Sequence, residues 1–416
     1  MERAFTYDVV VAGGGTAGVA AAAGSAETGA KTLLIEREAY MGGEATHAGV
    51  SAFCGFYSCG KDPIRVVRGV GDRVLEELGK IGKGYDDVIS ASGNRNINFQ
   101  PEYLKCALDN LMEKENVDVF LHAAVIGAEV KDGRIRELHC MDDEGAFTVK
   151  ASAFVDATGN ASLVRMAGAN AVWGGTVQAA TLTFRMSGVD TACDMSPAAV
   201  EKAILQAKAD GIPYLTKEKG FILKKQGSDI VAVLLPSVVP EGISAKEMTR
   251  MEFDTRRQVL YYVEALKKYM HGMELAELAV IGPSLGLRET YKMAGRETIL
   301  ADDVLSRRKR EDGIARGGWK PEIHKDVNKM GTYIEVAERS YFDIPLGAIR
   351  SSDLENLYGA GRMISADNTA FAAVRVMGTC FATGHAAGTA AALNALSGKE
   401  DAQSVREALK KQGALV

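Results

Sequence analysis

Residues 8–18, DVVVAGGGTAG, decide how the N-terminal part of this chain folds. The β-branched run DVVVA (8–12) is followed by glycines, which is typical of a buried strand in a parallel sheet. The alanine-rich stretch 16–29 predicts a helix that stops at Gly29, and KTLLIE (31–36) predicts a second strand. These segments form a βαβ unit of about 30 residues, for which a right-handed crossover is expected.

Within this unit, GGGTAG (13–18) has the G-x-G-x-x-G spacing of a dinucleotide-binding turn. Gly13 permits the tight turn, Gly15 lets the backbone approach a pyrophosphate, and Gly18 lets the helix pack closely. The helix N-terminus offers N–H groups to phosphates. Glu36 can accept hydrogen bonds from ribose hydroxyls and would repel a 2′-phosphate. The pattern predicts dinucleotide binding rather than an empty glycine-rich turn, and leaves NAD and FAD open.

The overall composition narrows the class of protein. The chain has 416 residues and a formal charge of −5, with scattered basic residues, so no nucleic-acid partner is expected. Its six cysteines lack the spacing of a zinc site, which predicts reduced thiols in a cytoplasm and no bound metal. No apolar run reaches the roughly 18–20 residues of a membrane span, and the first residues do not resemble a signal peptide. We therefore expect a cytoplasmic protein without a membrane partner.

The rest of the chain alternates helical and strand-like patterns. Helices are predicted at 64–80, 101–115, after Ser196-Pro197, at 245–271 and at 375–396. Strands are predicted at 117–123, in a β-meander leading to 153–157, at 181–189, in a hairpin around QGSD (226–229), and at 356–364. Residues 1–175 and 340–416 are predicted to form one discontinuous cofactor domain, and residues 176–339 an inserted substrate or cap domain.

Five blocks of sequence carry a resemblance to a known family. They are GGEAT (42–46), FVDATGNASL (154–163), GLRET with GRETILADDVL (286–305), YFDIPLGAI (341–349), and NLYGAGRMISA with AVRVMGTCFATGHAAGTAA (356–391). In this order they resemble the FAD-dependent oxidoreductases related to the fumarate reductase and succinate dehydrogenase flavoproteins. The resemblance implies an α/β fold: a two-part, Rossmann-type FAD-binding domain like that of glutathione reductase, with an inserted α+β cap domain. It selects FAD over NAD and does not name a substrate.

The resemblance also implies where FAD lies. Residues 42–46 would run along the pyrophosphate and flavin, Val125 would meet the adenine side, and residues 157–159 would pack beside the diphosphate. Gly361 and Arg362 would lie near the ribityl chain. The implied cofactor-binding residues are Gly13, Gly14, Gly15, Thr16, Ala17, Gly18, Glu36, Arg37, Gly42, Gly43, Glu44, Ala45, Thr46, Val125, Ala157, Thr158, Gly159, Gly361, Arg362, Gly378, Thr379 and Cys380.

The helix that begins near Gly378-Thr379-Cys380 is implied to point its first N–H groups at the N1/O2 edge of the flavin. Negative charge collects at that edge when the flavin is reduced, and a helix N-terminus stabilises it. The small residues after the first turn are predicted to pack in the core.

Flavin carries the electrons, so the protein has to position a C–H bond and manage one proton. Arg288 and Arg375 are candidates for a clamp on a substrate carboxylate, with salt bridges between the two domains as the alternative role. His47 is a candidate proton donor or base, because imidazole titrates near neutrality. Glu289 and Tyr291 lie in the same block as Arg288 and are weaker candidates.

The remaining histidines divide into structural and open cases. In the succinate dehydrogenase relatives a histidine links FAD covalently, but an ungapped register places Glu44 rather than His47 at that position, so non-covalent FAD is expected. His122 and His385 are predicted to be structural. His324, in the inserted region, is left open.

Two rival functions remain. Cys54 and Cys59 form a C-x4-C pair, which suggests a flavin-linked dithiol, although about ten residues separate the pair from the paired glycines. A flavoprotein that only carries electrons is the other rival, against which the inserted domain argues. We favour an FAD-dependent oxidoreductase that transfers hydride between a substrate C–H and flavin N5, and we expect a small-molecule substrate. An external electron donor or acceptor and a homo-oligomer are left open.

Overall fold

A computed structural model describes residues 3–82, 84–90, 93–174, 178–224 and 228–416. Within these ranges no helix combines the length and apolar character that crossing a bilayer requires. The helices are α1 (Thr16–Glu27), α2 (Val70–Gly79), α3 (Pro101–Lys114), α4 (Ser162–Met166), α5 (Pro197–Ala209), α6 (Ala245–Tyr269), α7 (Ala301–Leu305), α8 (Asn368–Val374), α9 (Met377–Ser397) and α10 (Ala402–Lys411).

The strands vary in length from two to nine residues. In chain order they are β1 (Arg3–Thr6), β2 (Val9–Ala12), β3 (Thr32–Ile35), β4 (Ala52–Phe53), β5 (Tyr85–Ile89), β6 (Arg95–Phe99), β7 (Asp118–Phe120), β8 (Ala124–Lys131), β9 (Arg134–Asp142), β10 (Gly145–Lys150), β11 (Ala153–Asp156), β12 (Ala171–Trp173), β13 (Ala180–Thr181), β14 (Phe184–Ser187), β15 (Phe221–Lys224), β16 (Val231–Leu234), β17 (Ser237–Val238), β18 (Glu277–Ile281), β19 (Tyr291–Met293), β20 (Gly313–Gly317), β21 (Glu322–Ile323), β22 (Thr332–Tyr333), β23 (Phe342–Pro345) and β24 (Leu357–Gly359).

A parallel sheet in the order β24-β11-β2-β3-β7 forms the centre of the fold. Every residue of β2, β3 and β11 is buried, as the apolar runs predict for a sheet covered on both faces. Val9 and Val11 pack in the core that contains α1 and α9. Val10 and Ala12 pack in a second core, which the sheet β1-β10-β9-β8 closes. The predicted βαβ unit and the α/β class are confirmed.

Helices α1 and α9 pack almost backbone to backbone. A Cβ added to Gly384 would overlap the carbonyl oxygen of Ala17, and one added to Gly388 would overlap that of Ala21. This approach requires small residues on both helices, and explains why α9 contains so few large side chains. The predicted helix at 375–396 is confirmed as α9, and the sequence did not indicate the short α8 before it.

The middle of the chain has an apolar core of its own. The sheet β15-β16-β14-β18 packs against α5 and α6, and their buried residues, from Ala180 to Leu287, form a separate cluster. Residues 299–315 instead pack in the core with α1. The boundaries predicted at 175/176 and 339/340 stay a prediction, and residues 175–177 lie outside the described ranges. The predicted hairpin is present as β15 paired with β16, although Gln226 and Gly227 of its turn also lie outside those ranges.

Several predicted elements are shorter in the structure than expected, among them one helix and the last strand of the central sheet. The helix predicted at 64–80 begins only at Val70, because Val66 donates to the carbonyl of Phe56 and Ser58 to that of Ile64. These bonds hold residues 64–67 against the preceding segment instead of in a helical turn. The strand predicted at 356–364 ends at Gly359, and a 3-10 turn at Gly361–Met363 follows.

Candidate cofactor and substrate site

The glycine turn after β2 is fixed in part by the protein itself. Gly13 has φ +99°, and a Cβ there would lie 2.8 Å from the carbonyl carbon of Ala157. A Cβ on Gly18 would overlap the carbonyl oxygen of Gly13. Both positions therefore require glycine whether or not a ligand is bound.

Gly15 is different. Its backbone is in the ordinary extended region, with φ −65° and ψ 179°. A Cβ there would touch only the Cα of Gly43, at 3.8 Å, which is a normal van der Waals contact. Nothing among the described residues requires glycine at this position. The open space at the N-terminus of α1 is what close approach of a pyrophosphate needs, so the turn fits a dinucleotide.

Glu36 is fixed at the end of β3. Its carboxylate accepts the backbone N–H of Gly14 at 2.6 Å and that of Glu38 at 3.1 Å, and the residue is buried. Each carboxylate oxygen has a further lone pair, which can accept from a ribose hydroxyl. Arg37 next to it is 73% exposed and pairs with Glu38.

The paired glycines of the next loop lie directly against the glycine turn. Gly42 donates its N–H to the carbonyl of Gly14 at 2.8 Å, and a Cβ on Gly43 would lie 2.9 Å from the Cα of Gly15. The hydroxyl of Thr46 closes the loop by donating to the carbonyl of Met41 at 2.8 Å. The structure thus places 42–46 beside the open space at Gly15.

Arg362 joins three of the predicted cofactor segments. Its guanidinium donates to the carboxylate of Glu44 at 2.6 Å, the carbonyl of Gly159 at 2.9 Å and the side chain of Asn160 at 2.9 Å. Gly361 before it has φ +76°, and a Cβ there would lie 2.8 Å from the Cβ of Ala17. These segments, far apart in sequence, converge on one side of α1.

The turn at 157–159 is held by Asp156, which the sequence did not single out. Asp156 is fully buried and accepts from the N–H and hydroxyl of Thr158, at 2.9 and 2.7 Å, and from the N–H of Val164 at 2.9 Å. Burial raises the pKa of this carboxyl, although the hydrogen bonds oppose that shift. Its role is to fix the turn next to Gly13.

The N-terminus of α9 offers one set of unused donors. Gly378 donates its N–H to the carbonyl of Cys54 at 2.8 Å, so this group does not face a ligand as the sequence suggested. Thr379 is fully buried, and neither its N–H nor its hydroxyl has a partner among the described residues. Buried groups of this kind normally have partners, so Thr379 fits a flavin edge placed against this helix.

Arg288 and Arg375 are half-buried and belong to the same polar cluster. Arg288 donates to the carbonyl of Ala179 at 2.5 Å and to the hydroxyl of Thr181 at 2.9 Å. Burial, with the nearby charge of Arg375, lowers the pKa of Arg288 to about 10. Arg375 donates to the carbonyl of Glu322 at 2.9 Å, and its Nε is buried without a partner in the described structure. The two arginines predicted as a clamp are therefore neighbours.

Glu322 and His324 belong to the same cluster. His324 Nε2 lies 3.3 Å from a carboxylate oxygen of Glu322, which also accepts the hydroxyl of Tyr333 at 2.9 Å. Burial and the charges of Arg288 and Arg375 lower the pKa of His324 to about 3, so its ring is neutral at pH 7. Burial acts to raise the pKa of Glu322, but His324, Arg375 and Tyr333 outweigh it and keep the carboxyl ionised.

Lys217 is the third basic residue of this cluster, and unlike the two arginines it is buried. Its backbone N–H donates to the hydroxyl of Tyr262 at 2.6 Å, and that hydroxyl donates to the Lys217 carbonyl at 2.7 Å. Burial, followed by the charge of Arg288, lowers the pKa of Lys217 to about 7. No described residue hydrogen-bonds its ammonium group. Neither Lys217 nor Glu322 was predicted from the sequence.

The polar cluster adjoins the cofactor segments. The charges of Arg362, Arg375 and Glu44 all act on the buried thiol of Cys380, whose pKa burial raises to about 12. A Cβ on Gly286 would lie 3.0 Å from a carboxylate oxygen of Glu44. The predicted flavin position and the two arginines therefore share one region of the molecule.

The family model described as FAD dependent oxidoreductase matches residues 8–413. The chain belongs to this family. It is therefore an FAD-dependent enzyme, while its relation to the fumarate reductase flavoproteins stays a prediction. No curated protein sequence matches the chain at a significant level.

Two solved structures show that this FAD-dependent oxidoreductase has the fold of other flavoenzymes. A geranylgeranyl bacteriochlorophyll reductase-like protein from Thermoplasma acidophilum is 15% identical and superimposes with a TM-score of 0.52, over 98% of this chain and 83% of its own. The p-nitrophenol 4-monooxygenase of Pseudomonas putida DLL-E4 is 12% identical, with a TM-score of 0.50 over 99% and 85% of the two chains. At these identities the likeness concerns the fold alone.

The other candidate residues of this oxidoreductase differ in their relation to the arginine cluster, and of them the carboxyl of Glu289 interacts with the charge of Arg375. The His47 ring stacks on Tyr40, with centroids 4.7 Å apart, and its Nε2 is buried without a partner among the described residues. Glu289 is buried beside Lys292, 3.9 Å away, and Tyr291 packs edge-on against Trp173. The catalytic role of His47 stays a prediction.

The histidines interpreted as structural have structural surroundings. His385 Nε2 lies 2.6 Å from the side-chain oxygen of Gln412, and burial lowers the pKa of this histidine to about 4. His122 has φ +55°, and its N–H donates to the carbonyl of Glu38 at 3.2 Å. Val125 lies in β8 opposite Cys140 and packs in the second core.

Cys54 and Cys59 are free thiols. Burial raises the pKa of Cys54 to about 12 and also raises that of Cys59. Both are protonated at neutral pH, and a thiol reacts as its thiolate. The dithiol alternative gains no support from these surroundings.

Proposed function

We propose that this enzyme transfers a hydride between a C–H bond of a small carboxylate-bearing molecule and N5 of FAD. Bound FAD supplies the two-electron acceptor or donor. The chain supplies binding, orientation and proton transfer. The reductase-like protein and the monooxygenase of similar fold do not name the substrate, because their likeness extends only to the fold.

The convergence of three basic side chains in one cluster carries this proposal. Arg288, Arg375 and Lys217 meet in the cluster; Glu322 acts on all three, while Glu44 also acts on Arg288 and Glu289 on Arg375. Arg288 itself donates only to neutral acceptors. Burying an unpaired cation is costly, so a site of this kind is stabilised by an anion. A planar guanidinium fork matches the geometry of a carboxylate.

The position of the cluster indicates the chemistry. Thr379, with its unpartnered N–H and hydroxyl, lies in the first turn of α9, four residues after Arg375. The proposed flavin edge and Arg375 therefore lie at the N-terminus of the same helix. A carboxylate held by Arg288 and Arg375 would present its adjacent carbons towards the same region. Exclusion of water by the buried surroundings strengthens these charge interactions.

Replacing Arg288 with lysine should weaken binding of the substrate carboxylate roughly a hundredfold and leave the FAD content unchanged, because the second fork N–H is lost. The measurement is anaerobic bleaching of the flavin band across a panel of carboxylates, together with oxidation of the reduced enzyme by unsaturated or oxo acids. Arg256→Lys is the matched control, since Arg256 is 41% exposed and pairs with Glu252 on α6. The proposal would be contradicted if the enzyme turned over only uncharged substrates and if Arg288→Lys did not change that turnover.

Replacing Cys54 and Cys59 together with serine should leave substrate turnover within about threefold of the unmodified enzyme, because neither thiol is ionised at neutral pH. The measurement is the anaerobic rate of flavin bleaching by whichever carboxylate of the panel the unmodified enzyme oxidises. Loss of turnover with FAD still bound would restore the dithiol mechanism.

A cytoplasmic location, an external electron donor or acceptor, and self-association into a homo-oligomer remain predictions from the sequence. Of these, the external electron partner bears on the proposal, since a hydride transferred to FAD has to leave the enzyme before the next cycle.

A further inference from the structure

We infer that His324 accepts the hydroxyl proton of the substrate, that Glu322 is its positioning residue, and that the substrate is therefore a 2-hydroxy acid or the corresponding 2-oxo acid. The inference rests on the proposed function, which places a carboxylate between the arginines. It adds the proton acceptor and the class of the substrate.

The hydrogen bonds of His324 define which ring nitrogen is free. Nε2 faces the ionised carboxylate of Glu322 at 3.3 Å, so this nitrogen carries the hydrogen. Nδ1 is then a lone-pair acceptor, and it is buried without a partner in the described structure. Glu322 is held in turn by Tyr333 and lies next to Arg375, which fixes the ring orientation. A neutral, oriented imidazole with a free acceptor is the arrangement of a general base.

The charges facing the ring keep it available for proton transfer. Arg288 and Arg375 act against protonation, while Glu322 favours it. Lys217 acts on the same Arg288 and Glu322. A substrate carboxylate bound to the arginines would offset their charge and make the protonated ring more stable, so the base becomes stronger when the substrate is in place.

The base and the carboxylate clamp share one cluster, which limits where the reacting group lies. Arg375 contacts both the carbonyl and the carboxylate of Glu322, and His324 is two residues further along. A group that loses its proton to His324 while its carboxylate is held by Arg375 must lie close to that carboxylate. A hydroxyl on the adjacent carbon, the 2-position, meets this condition.

The reaction balances with FAD as the electron acceptor. The C2–H bond breaks and its electron pair leaves with the hydrogen as hydride to N5. The hydroxyl O–H bond breaks and its proton moves to Nδ1 of His324, while C2–O becomes a double bond. The products are a 2-oxo acid and reduced FAD, and the imidazolium returns its proton to water. The reverse sequence reduces a 2-oxo acid.

Lys217 is the competing proton acceptor in this cluster. No described residue hydrogen-bonds the ammonium group of Lys217, so no hydrogen bond fixes the direction of its side chain. The carboxylate of Glu322, in contrast, fixes the orientation of the His324 ring. The experiment below separates the two.

The test uses the FAD-loaded enzyme and matched acids: lactate with propionate, malate with succinate, and 2-hydroxyglutarate with glutarate. We expect a hydroxy acid to bleach the flavin and its deoxy partner only to bind, as seen in a shift of the visible spectrum. His324→Asn and His324→Gln should slow bleaching roughly 10²–10⁴-fold, while binding of the deoxy acid stays within about threefold. Lys217→Met removes a basic group from the cluster, so it should weaken binding of a hydroxy acid and of its deoxy partner alike, without the selective loss of bleaching that the His324 variants show.

Glu322→Gln provides a readout that a merely structural role would not change. The Glu322 carboxylate raises the pKa of the His324 ring, so its removal lowers that pKa. The acidic limb of the pH–rate profile should therefore move to lower pH. NMR of 13C-labelled histidine, assigned with His324→Asn, should show the same direction of shift for the ring with a deoxy acid bound.

The outcomes separate the inference from the proposed function. Bleaching by deoxy acids as fast as by hydroxy acids, or full activity in both His324 variants, overturns the inference and leaves the carboxylate clamp in place. A Lys217→Met enzyme that binds the deoxy acid normally but bleaches at least tenfold more slowly at saturating hydroxy acid assigns the proton to Lys217 and also overturns the inference. If no acid of the panel binds at all, and no 2-oxo acid oxidises the reduced enzyme, the proposed function fails together with the inference.

Discussion

Replacing Gly15 with alanine should leave a folded protein that no longer binds FAD. The backbone at Gly15 suits any residue, and an added Cβ meets only the Cα of Gly43 at 3.8 Å. With FAD present, the same Cβ would occupy the space that the pyrophosphate needs. We expect the affinity for FAD to fall at least about a thousandfold, which corresponds to roughly 4 kcal/mol.

Measurement of this prediction needs two readouts: thermal unfolding of the FAD-free protein and fluorescence titration with FAD. Gly18→Ala is the matched control, since its Cβ would overlap the carbonyl oxygen of Gly13 and the loss should appear in folding itself. A Gly15→Ala protein that purifies yellow, with unchanged FAD affinity, would show that the pyrophosphate does not lie against this turn.

Replacing Lys217 with methionine should stabilise the protein at pH 7 by about 2–4 kcal/mol, because methionine fills a similar volume without a buried charge. The pKa of Lys217 is lowered from 10.5 to about 7 by burial and then by Arg288. Between these two pH values the unfolded chain binds a proton that the folded protein does not. The stability of the unmodified protein should therefore rise with pH from about 7 to 10.5.

Urea unfolding at pH 6, 7, 8 and 9 checks this prediction in the FAD-loaded enzyme. Lys217→Met should lose the rise of stability with pH that Lys217 contributes. Lys219→Met is the control, because Lys219 is 40% exposed and pairs with Glu201. Two outcomes would contradict the interpretation of a buried, weakly protonated lysine. One is an equal change of stability in both variants. The other is a stability of the unmodified protein that falls with pH and no longer does so in Lys217→Met.

The cofactor half of the site was predictable from local sequence. Each predicted segment follows a strand or begins a helix, and the carboxyl ends of parallel strands meet at one edge of a sheet, so Gly13, Glu36 and Ala157 had to converge. The same reasoning could not show that Gly378 uses its N–H on Cys54, because that bond joins residues more than three hundred positions apart.

The substrate half was predictable only in part. Arg288 and Arg375 were marked by a resemblance, whereas Glu322 and Lys217 lie in short, irregular segments without a periodic pattern. The one local signal was the two-residue spacing of Glu322 and His324, which predicts that both side chains point to one side of an extended segment; β21 itself ends at Ile323. Burial decides the role of such residues, and burial depends on packing between distant parts of the chain.

The close crossing of α1 and α9 has a consequence for the choice of cofactor. The N-terminus of α1 lies at the predicted pyrophosphate position and that of α9 at the proposed flavin edge, and the close backbone contacts at Gly384 and Gly388 join the two helices between these ends. The separation of the two ends is thus built in before any nucleotide arrives. FMN carries the same flavin, ribityl chain and first phosphate and would reach both ends, so a preference for FAD would have to arise at the adenosine half, where Glu36 is the predicted ribose contact.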